Sequence, residues 1–193
     1  MRYETYRRLL AGAVFGLYRL QIRGQENVPP AGPLVVASNH GSVLDPFILG
    51  AAIPRSMRFL AKSELWRIPF LPPLLDEAGV ISVERGRSDT GAVAAGVAAL
   101  EAGDVVAIFP EGGVRREGAW LRGGARMALA AGAPMLPVRL LDTRKALGRG
   151  TIGFPPLAVL IGEPIPVELA RPTVTLAREL TRRLQAAVEA LGT

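Results

Sequence analysis

The chain has a single histidine, His40, and an aspartate, Asp45, stands five residues after it in the run Asn39-His40-Gly41-Ser42-Val43-Leu44-Asp45-Pro46. An imidazole with one nitrogen bonded to a carboxylate has a fixed tautomer, which leaves the other nitrogen to take up a proton. Residues five apart on a regular helix point about 140° away from each other. The two can therefore meet only if His40 lies on a turn and Asp45 at the mouth of the helix that follows. Asp45-Pro46 reads as such a mouth, with aspartate as N-cap and proline at the first helical position. From spacing alone the pair is either a general base with its orienting partner, or a polar turn residue followed by a helix cap. Ser42 lies close to both and raises the reading of a serine hydrolase or thioesterase. However, no G-x-S-x-G elbow is present, and three residues within six positions are poorly placed to form a relay.

Other chemistries are limited by composition. With no cysteine there is no disulfide, no thiolate metal site and no acyl-cysteine intermediate. One histidine argues against a histidine-rich metal centre. If imidazole chemistry occurs, it occurs at His40.

The pair needs a scaffold, and the surrounding pattern supplies one. Leu34–Ser38 is a short apolar run that reads as a buried strand, placing His40 just beyond its carboxyl end. Ligands of α/β sheets gather beyond such ends. Gln21–Arg23 is a brief strand candidate, followed by the turn-rich stretch 27–33. The helix begun at Asp45 runs toward Pro54. Arg58–Lys62 is a strand candidate, and 66–75, broken by Pro69, Pro72 and Pro73, reads as a loop. Val80–Glu84 and Val105–Phe109 read as strands, with a helix over 88–102 between them ended by Gly103. A helix over 124–131 closed by Gly132, strands at Met135–Leu141 and Leu157–Ile161, and an amphipathic helix over 172–191 complete the order. Strands that are apolar on both faces and alternate with helices predict one α/β domain, with a mixed, mostly parallel sheet covered by helices.

The 193 residues carry a net charge of +6 with pI near 10.7, a balance that suits anionic partners. Lys62 and Lys145 are the only lysines, and arginine excess also arises from codon bias, so charge alone decides nothing. Aromatics are sparse and the arginines are scattered rather than striped, which argues against a nucleic-acid partner. No run of 18 apolar residues is present, so a conventional transmembrane helix is not expected. Residues 1–20 read as a separate basic amphipathic helix. Leu10, Val14, Leu17 and Tyr18 form one face and Arg2, Arg7 and Arg8 accompany it. That face either enters a membrane interface or packs on the domain formed by 21–193.

Asn39 to Asp45 resembles the NHxSxxD signature of the glycerophospholipid acyltransferases, in particular the 1-acyl-sn-glycerol-3-phosphate acyltransferases. Further similarities follow in family order. Gly24-Gln25-Glu26-Asn27-Val28-Pro29 resembles the lead-in to the first strand, and Lys62-Ser63-Glu64-Leu65 through Ile68-Pro69 resembles the lysine-containing segment. Gly79 to Arg85 resembles the second box, Phe109-Pro110-Glu111-Gly112 the start of the FPEGTR box, and Pro134 to Val138 the last, proline-containing box. The resemblance spans roughly residues 20–140. It departs at one point: Gly113-Val114 stand where the family has Thr-Arg, with Arg115 and Arg116 following.

The resemblance implies direct acyl transfer from acyl-CoA or acyl-carrier protein to the hydroxyl of a lysophospholipid, giving phosphatidic acid when the acceptor is 1-acyl-sn-glycerol 3-phosphate. A different lipid acceptor within the same family is the alternative. His40 would act as general base and Asp45 would orient it, with no resident cofactor or metal. Asn39, Ser42, Lys62, Arg85, Glu111, Gly112, Gly113 and Arg115 are the expected substrate-binding residues. Among these Arg85 is the first candidate for the acceptor's phosphate and Arg115 the second. Gly112-Gly113 could offer backbone N–H groups to an anion. Lys62 either faces the site or is a surface lysine, and Glu111 is either a site residue or a solvated loop carboxylate. Phe47, Ile48 and Leu49, with Trp66, Ile68, Phe70, Leu71, Leu74 and Leu75, are candidates for an acyl slot. The expected location is the cytoplasmic face of an anionic membrane, peripheral or monotopic.

Overall fold

The computed structural model describes residue 12 and residues 16–69, 72–77, 79–83, 90–114, 118–148 and 151–192. Its centre is strand β2 (Leu34–Ser38), every residue of which is buried. Adjacent residues of β2 face opposite ways, so the apolar run feeds two cores at once. Leu34 and Val36 join one apolar cluster, while Val35 and Ala37 join the other.

Among the described residues seven strands form the sheet, in the order β1 (Gln21–Arg23), β9 (Ala158–Ile161), β6 (Met135–Leu141), β2, β5 (Val105–Ile108), β3 (Met57–Lys62) and β4 (Ile81–Val83). From β6 to β4 all neighbours are parallel. β9 runs antiparallel to β6, and β1 follows β9 in parallel. The sheet is thus mixed and mostly parallel, as the pattern predicts. Helix α1 (Asp45–Ala52) covers one face through Ile48, Leu49 and Ala52. Helices α3 (Thr90–Glu101), α4 (Gly123–Ala131) and α6 (Val174–Ala190) cover the other through Leu100, Met127, Leu180 and Leu184. The end of α4 is set by Gly132, which takes the left-handed conformation with φ of 61° and returns its N–H to Ala128.

Several local expectations change. The stretch 66–75 is not simply a loop. A 3-10 turn occupies Ser63–Arg67, and a short helix, α2, spans Pro72–Glu77. Paired prolines are tolerated there because the first turn of a helix has no N–H to lose. Trp66 Nε1 donates to Asp76 Oδ1 at 2.8 Å and ties the two pieces together. After β6 the chain makes a four-residue helix, α5 (Thr143–Ala146), and a small antiparallel hairpin of β7 (Leu147–Gly148) and β8 (Thr151–Ile152), none of which the periodicity reveals.

Of the four apolar residues assigned to an N-terminal membrane face, Leu10 and Val14 lie outside the described residues, as do Arg2, Arg7 and Arg8. Leu17 is exposed, but Tyr18 and Leu20 are buried in the main core, with the Tyr18 ring against Phe154. Among the described residues no helix is long and apolar enough to cross a membrane.

Candidate active site

Because β6, β2 and β5 are adjacent and parallel, their carboxyl ends open onto the same edge of the sheet. The segments leaving those ends carry Arg144, His40 and Glu111 respectively. Residues 33 to 104 positions apart along the chain are thus brought within two strand spacings, or about 10 Å.

His40 Nδ1 lies 2.9 Å from Asp45 Oδ2. Asp45 is fully buried, while the His40 side chain keeps 13% exposure. Only a small part of the ring therefore reaches solvent. The same Asp45 oxygen also accepts the Ser42 backbone N–H at 2.8 Å. This use of the carboxylate moves the helix boundary: Leu44 is the cap and Asp45 the first helical residue, with its side chain turned back onto the His40 loop instead of forward onto the helix. The expected N-cap role for Asp45 is thereby corrected by one position. Its negative charge still sits at the positive end of α1. The His40 ring stacks on Phe109, with centroids 4.1 Å apart and planes 17° apart, and Phe109 in turn lies beside Phe59. Packed on Phe109 and bonded to Asp45, the imidazole is held in orientation as well as in tautomer.

Asn39 does not point to solvent. Its Nδ2 donates to the Leu140 carbonyl at 2.9 Å and its Oδ1 accepts the Leu140 N–H at 2.8 Å. Its amide binds the end of β6 as a further strand would, clamping β6 to the His40 loop. Ser42 is also buried, and its Oγ accepts the Leu44 N–H at 3.3 Å. It braces the turn before α1.

Glu111 follows β5 and is half-buried. Burial pushes its carboxyl above the usual range. The His40 backbone N–H that it accepts, the imidazole and Arg144 pull it back, and Asp45 adds a smaller push upward. Among the described residues its Oε2 is buried without a hydrogen-bond partner, as is Oδ1 of Asp45. Glu111 is therefore wired to His40 and is not the solvated loop carboxylate of the alternative reading. Gly112, at φ of 74°, uses its N–H on the Phe109 carbonyl at 3.0 Å, so that group closes a turn and is not offered to an anion.

Arg85 and Arg115 lie outside the described residues, as does Arg116. Lys62 ends β3 on the same sheet edge. Gly113 follows Gly112 in the β5–α4 connection. Of the acyl-slot candidates, Ile48 and Leu49 are fully buried core residues, so they form the floor of the domain; Phe47 and Ile68 are exposed.

One residue beside the site carries no signal in the sequence. Arg144 is brought against Gly41 by α5. A Cβ built on Gly41 would lie 2.9 Å from Arg144 Cγ and 2.9 Å from Thr143 Oγ1. Nothing in the run Leu141-Asp142-Thr143-Arg144-Lys145 announces this, because the contact joins residues about a hundred positions apart.

A family model described as Acyltransferase matches residues 19–141. The 1-acyl-sn-glycerol-3-phosphate acyltransferase of Borreliella burgdorferi is 35% identical over 149 residues, covering 74% of this chain and 59% of that protein. A chloroplastic 1-acyl-sn-glycerol-3-phosphate acyltransferase of Arabidopsis thaliana is 28% identical over 148 residues, covering 74% of this chain and 41% of that one. The chain thus spans about half the length of these curated relatives. The crystal structure of the 1-acyl-sn-glycerophosphate acyltransferase of Thermotoga maritima shares the fold. Its TM-score is 0.71 at 20% identity, with 96% of this chain and 80% of that one covered.

Proposed function

Since the chain belongs to the acyltransferase family, we propose that it moves a fatty acyl group from a thioester to the free hydroxyl of a lysophospholipid. The acceptor is 1-acyl-sn-glycerol 3-phosphate, the product is phosphatidic acid, and the donor is acyl-CoA or acyl-carrier protein. The observation that carries this reading is the His40–Asp45 contact of 2.9 Å, with the carboxylate buried and the imidazole partly exposed.

In this mechanism Nε2 of His40 takes the proton of the acceptor hydroxyl as its oxygen adds to the thioester carbonyl. Asp45 holds Nδ1–H and stabilises the imidazolium that forms. The tetrahedral intermediate collapses, the C–S bond breaks, and the thiolate leaves with the proton returned by His40. A thioester is already activated, so no covalent enzyme intermediate is needed. General-base help of this kind contributes about 10²–10⁴-fold, and the remainder comes from holding hydroxyl and carbonyl together and from stabilising the oxyanion. Arg85 and Arg115 are the proposed phosphate contacts on grounds of family resemblance, and Arg85→Ala should chiefly raise KM for the acceptor.

The enzyme would work at the surface of an anionic membrane, on its cytoplasmic face. Exposed Val43, Phe47, Val114 and Leu121, all on segments leaving the carboxyl ends of β2 and β5, support this reading, together with the net charge of +6. Cosedimentation with phosphatidylglycerol vesicles, lost on Val43→Asp with Phe47→Asp, is the expected outcome.

The deciding assay is thiol release from acyl-CoA with and without lysophosphatidic acid, comparing wild type with His40→Ala. A chain without cysteine adds no background to a thiol-reactive dye. Acceptor-dependent release that disappears in the variant is expected. Release that ignores the acceptor would mean a thioesterase, and full activity in His40→Ala would remove the histidine from the mechanism.

A further inference from the structure

Three features fix the segment after β6 against the catalytic loop, and nothing in the mechanism so far uses them. The first is the double hydrogen bond of Asn39 with the Leu140 peptide groups. Next comes the backbone of Asp142, which takes φ of 63°, a conformation a non-glycine residue adopts at some cost. It reverses the chain into α5. The third is the bare face of Gly41, where the Arg144 stem and Thr143 fill the space a side chain would need. Two strand ends are locked, the turn between β6 and α5 is strained, and the glycine makes room. Together they present Arg144 at the shoulder of His40.

A cavity of about 240 Å³ lies at this junction, lined among others by Asn39, Gly41, Arg139, Asp142, Arg144 and Lys145. Three cations and one carboxylate leave its lining with a surplus of two positive charges. Asp142 is paired with Lys145 at 2.7 Å, and the Arg139 guanidinium donates to the Glu189 carbonyl. Arg144 packs its stem on Gly41 of the His40 loop, and its charge reaches Glu111, the carboxylate that accepts the His40 N–H. An arginine fork suits a phosphate dianion better than any other side chain.

We propose that Arg144 is a phosphate-binding residue, and that the cavity between Gly41 and α5 holds the phosphate group of a substrate beside His40. The chain has Gly113-Val114 where its family resemblance predicts Thr-Arg. Arg144 supplies a cation from the opposite neighbour of β2, reaching the site from β6 where the resemblance would have it come from β5. The proposal rests on the acyl-transfer reading above. The phosphate could be that of the lysophospholipid acceptor or one carried by the acyl thioester, and the two sources are separable by experiment.

The test compares wild type, Arg144→Gln, Arg144→Lys and the distant Arg183→Ala on α6. Glutamine keeps the stem that packs on Gly41, so the fold is preserved; a melting curve checks this. KM is measured for 1-acylglycerol 3-phosphate at fixed acyl-CoA, and then for acyl-CoA at fixed acceptor. Losing a charge-assisted contact should raise one KM by roughly tenfold to a hundredfold. Arg144→Lys should restore part of the loss and Arg183→Ala should change neither constant. A rise for the acceptor alone assigns the cavity to the lysophospholipid phosphate, and a rise for the donor alone assigns it to the thioester carrier. If neither KM rises in Arg144→Gln, the proposal is overturned, whatever happens to kcat. Should the wild type transfer nothing, the acyl-transfer reading fails first. In that case the two lipids, titrated against the fluorescence of the chain's tryptophans, still decide the cavity. Affinity equal in wild type and Arg144→Gln overturns the proposal, and weakened affinity sustains it.

Discussion

Replacing Asp45 with asparagine isolates charge from geometry. Asp45 Oδ2 accepts two donors, His40 Nδ1–H at 2.9 Å and Ser42 N–H at 2.8 Å, while Oδ1 is buried with no partner among the described residues. In Asp45→Asn the amide oxygen should take the Oδ2 position, because both neighbours there are donors and an NH2 group would oppose them. The tautomer of His40 is then preserved and only the negative charge is lost. Opposite unit charges about 4 Å apart attract by about 4 kcal/mol at an effective dielectric near 20, which corresponds to about 10³ in rate. That figure falls within the 10²–10⁴ expected of general-base catalysis. The kcat of Asp45→Asn should therefore drop about 10²–10³-fold in acceptor-dependent thiol release, with KM for both substrates little changed. Stability should move less, because the new amide leaves an unsatisfied buried N–H while a buried charge disappears. These effects oppose each other at about 1–3 kcal/mol each. Asp45→Ala removes orientation as well and should approach the activity of His40→Ala. If Asp45→Asn keeps kcat/KM within threefold of wild type and melts at the same temperature, the buried carboxylate does not stabilise a developing imidazolium and the reasoning fails.

Gly41→Ala places a methyl group 2.9 Å from both Arg144 Cγ and Thr143 Oγ1. Overpacking of this kind costs about 1–3 kcal/mol, so a melting temperature several degrees lower is expected, together with impaired turnover as α5 is pushed off the His40 loop. Asn39→Leu deprives the Leu140 N–H and C=O of their partners; a loss of about 1–3 kcal/mol per buried group should appear in a denaturant titration. Glu111→Gln keeps an acceptor for the His40 N–H. Burial raises the Glu111 carboxyl, so the folded chain holds a proton that the unfolded chain releases at lower pH. Its contribution is thus most favourable below the unfolded carboxyl range near pH 4.3 and is lost as pH rises through the folded value. The variant should melt above wild type at pH 7–8, and the gap should close toward about pH 4. Ser42→Ala should retain most transfer activity, since its hydroxyl braces the turn; trapping of an acyl-serine would contradict that assignment.

The local elements were readable in the chain because each rests on nearby chemistry. Leu34–Ser38 is apolar on both faces, Gly132 ends α4 by adopting positive φ, and the mouth of α1 follows from Asp45-Pro46. The single histidine and the absence of cysteine already confined the chemistry, and the five-residue spacing required a turn for His40 to reach Asp45. What the spacing could not decide was whether the aspartate bonds forward into its helix or back to the histidine. That depends on Ser42 N–H and His40 Nδ1 converging on one oxygen, which only the folded turn creates. The order of the strands was equally hidden, since parallel neighbours are joined by crossovers and register leaves no local mark. The placement of β2 between β5 and β6 makes Asn39 a clamp on Leu140, and wires Glu111 to the His40 loop. It also sets Arg144 against a glycine 103 positions earlier in the chain. The sequence alone pointed to the kind of chemistry proposed and to His40 as its candidate base. The tertiary structure decided which charges surround that residue, because electrostatic neighbours follow distance in space and not distance along the chain.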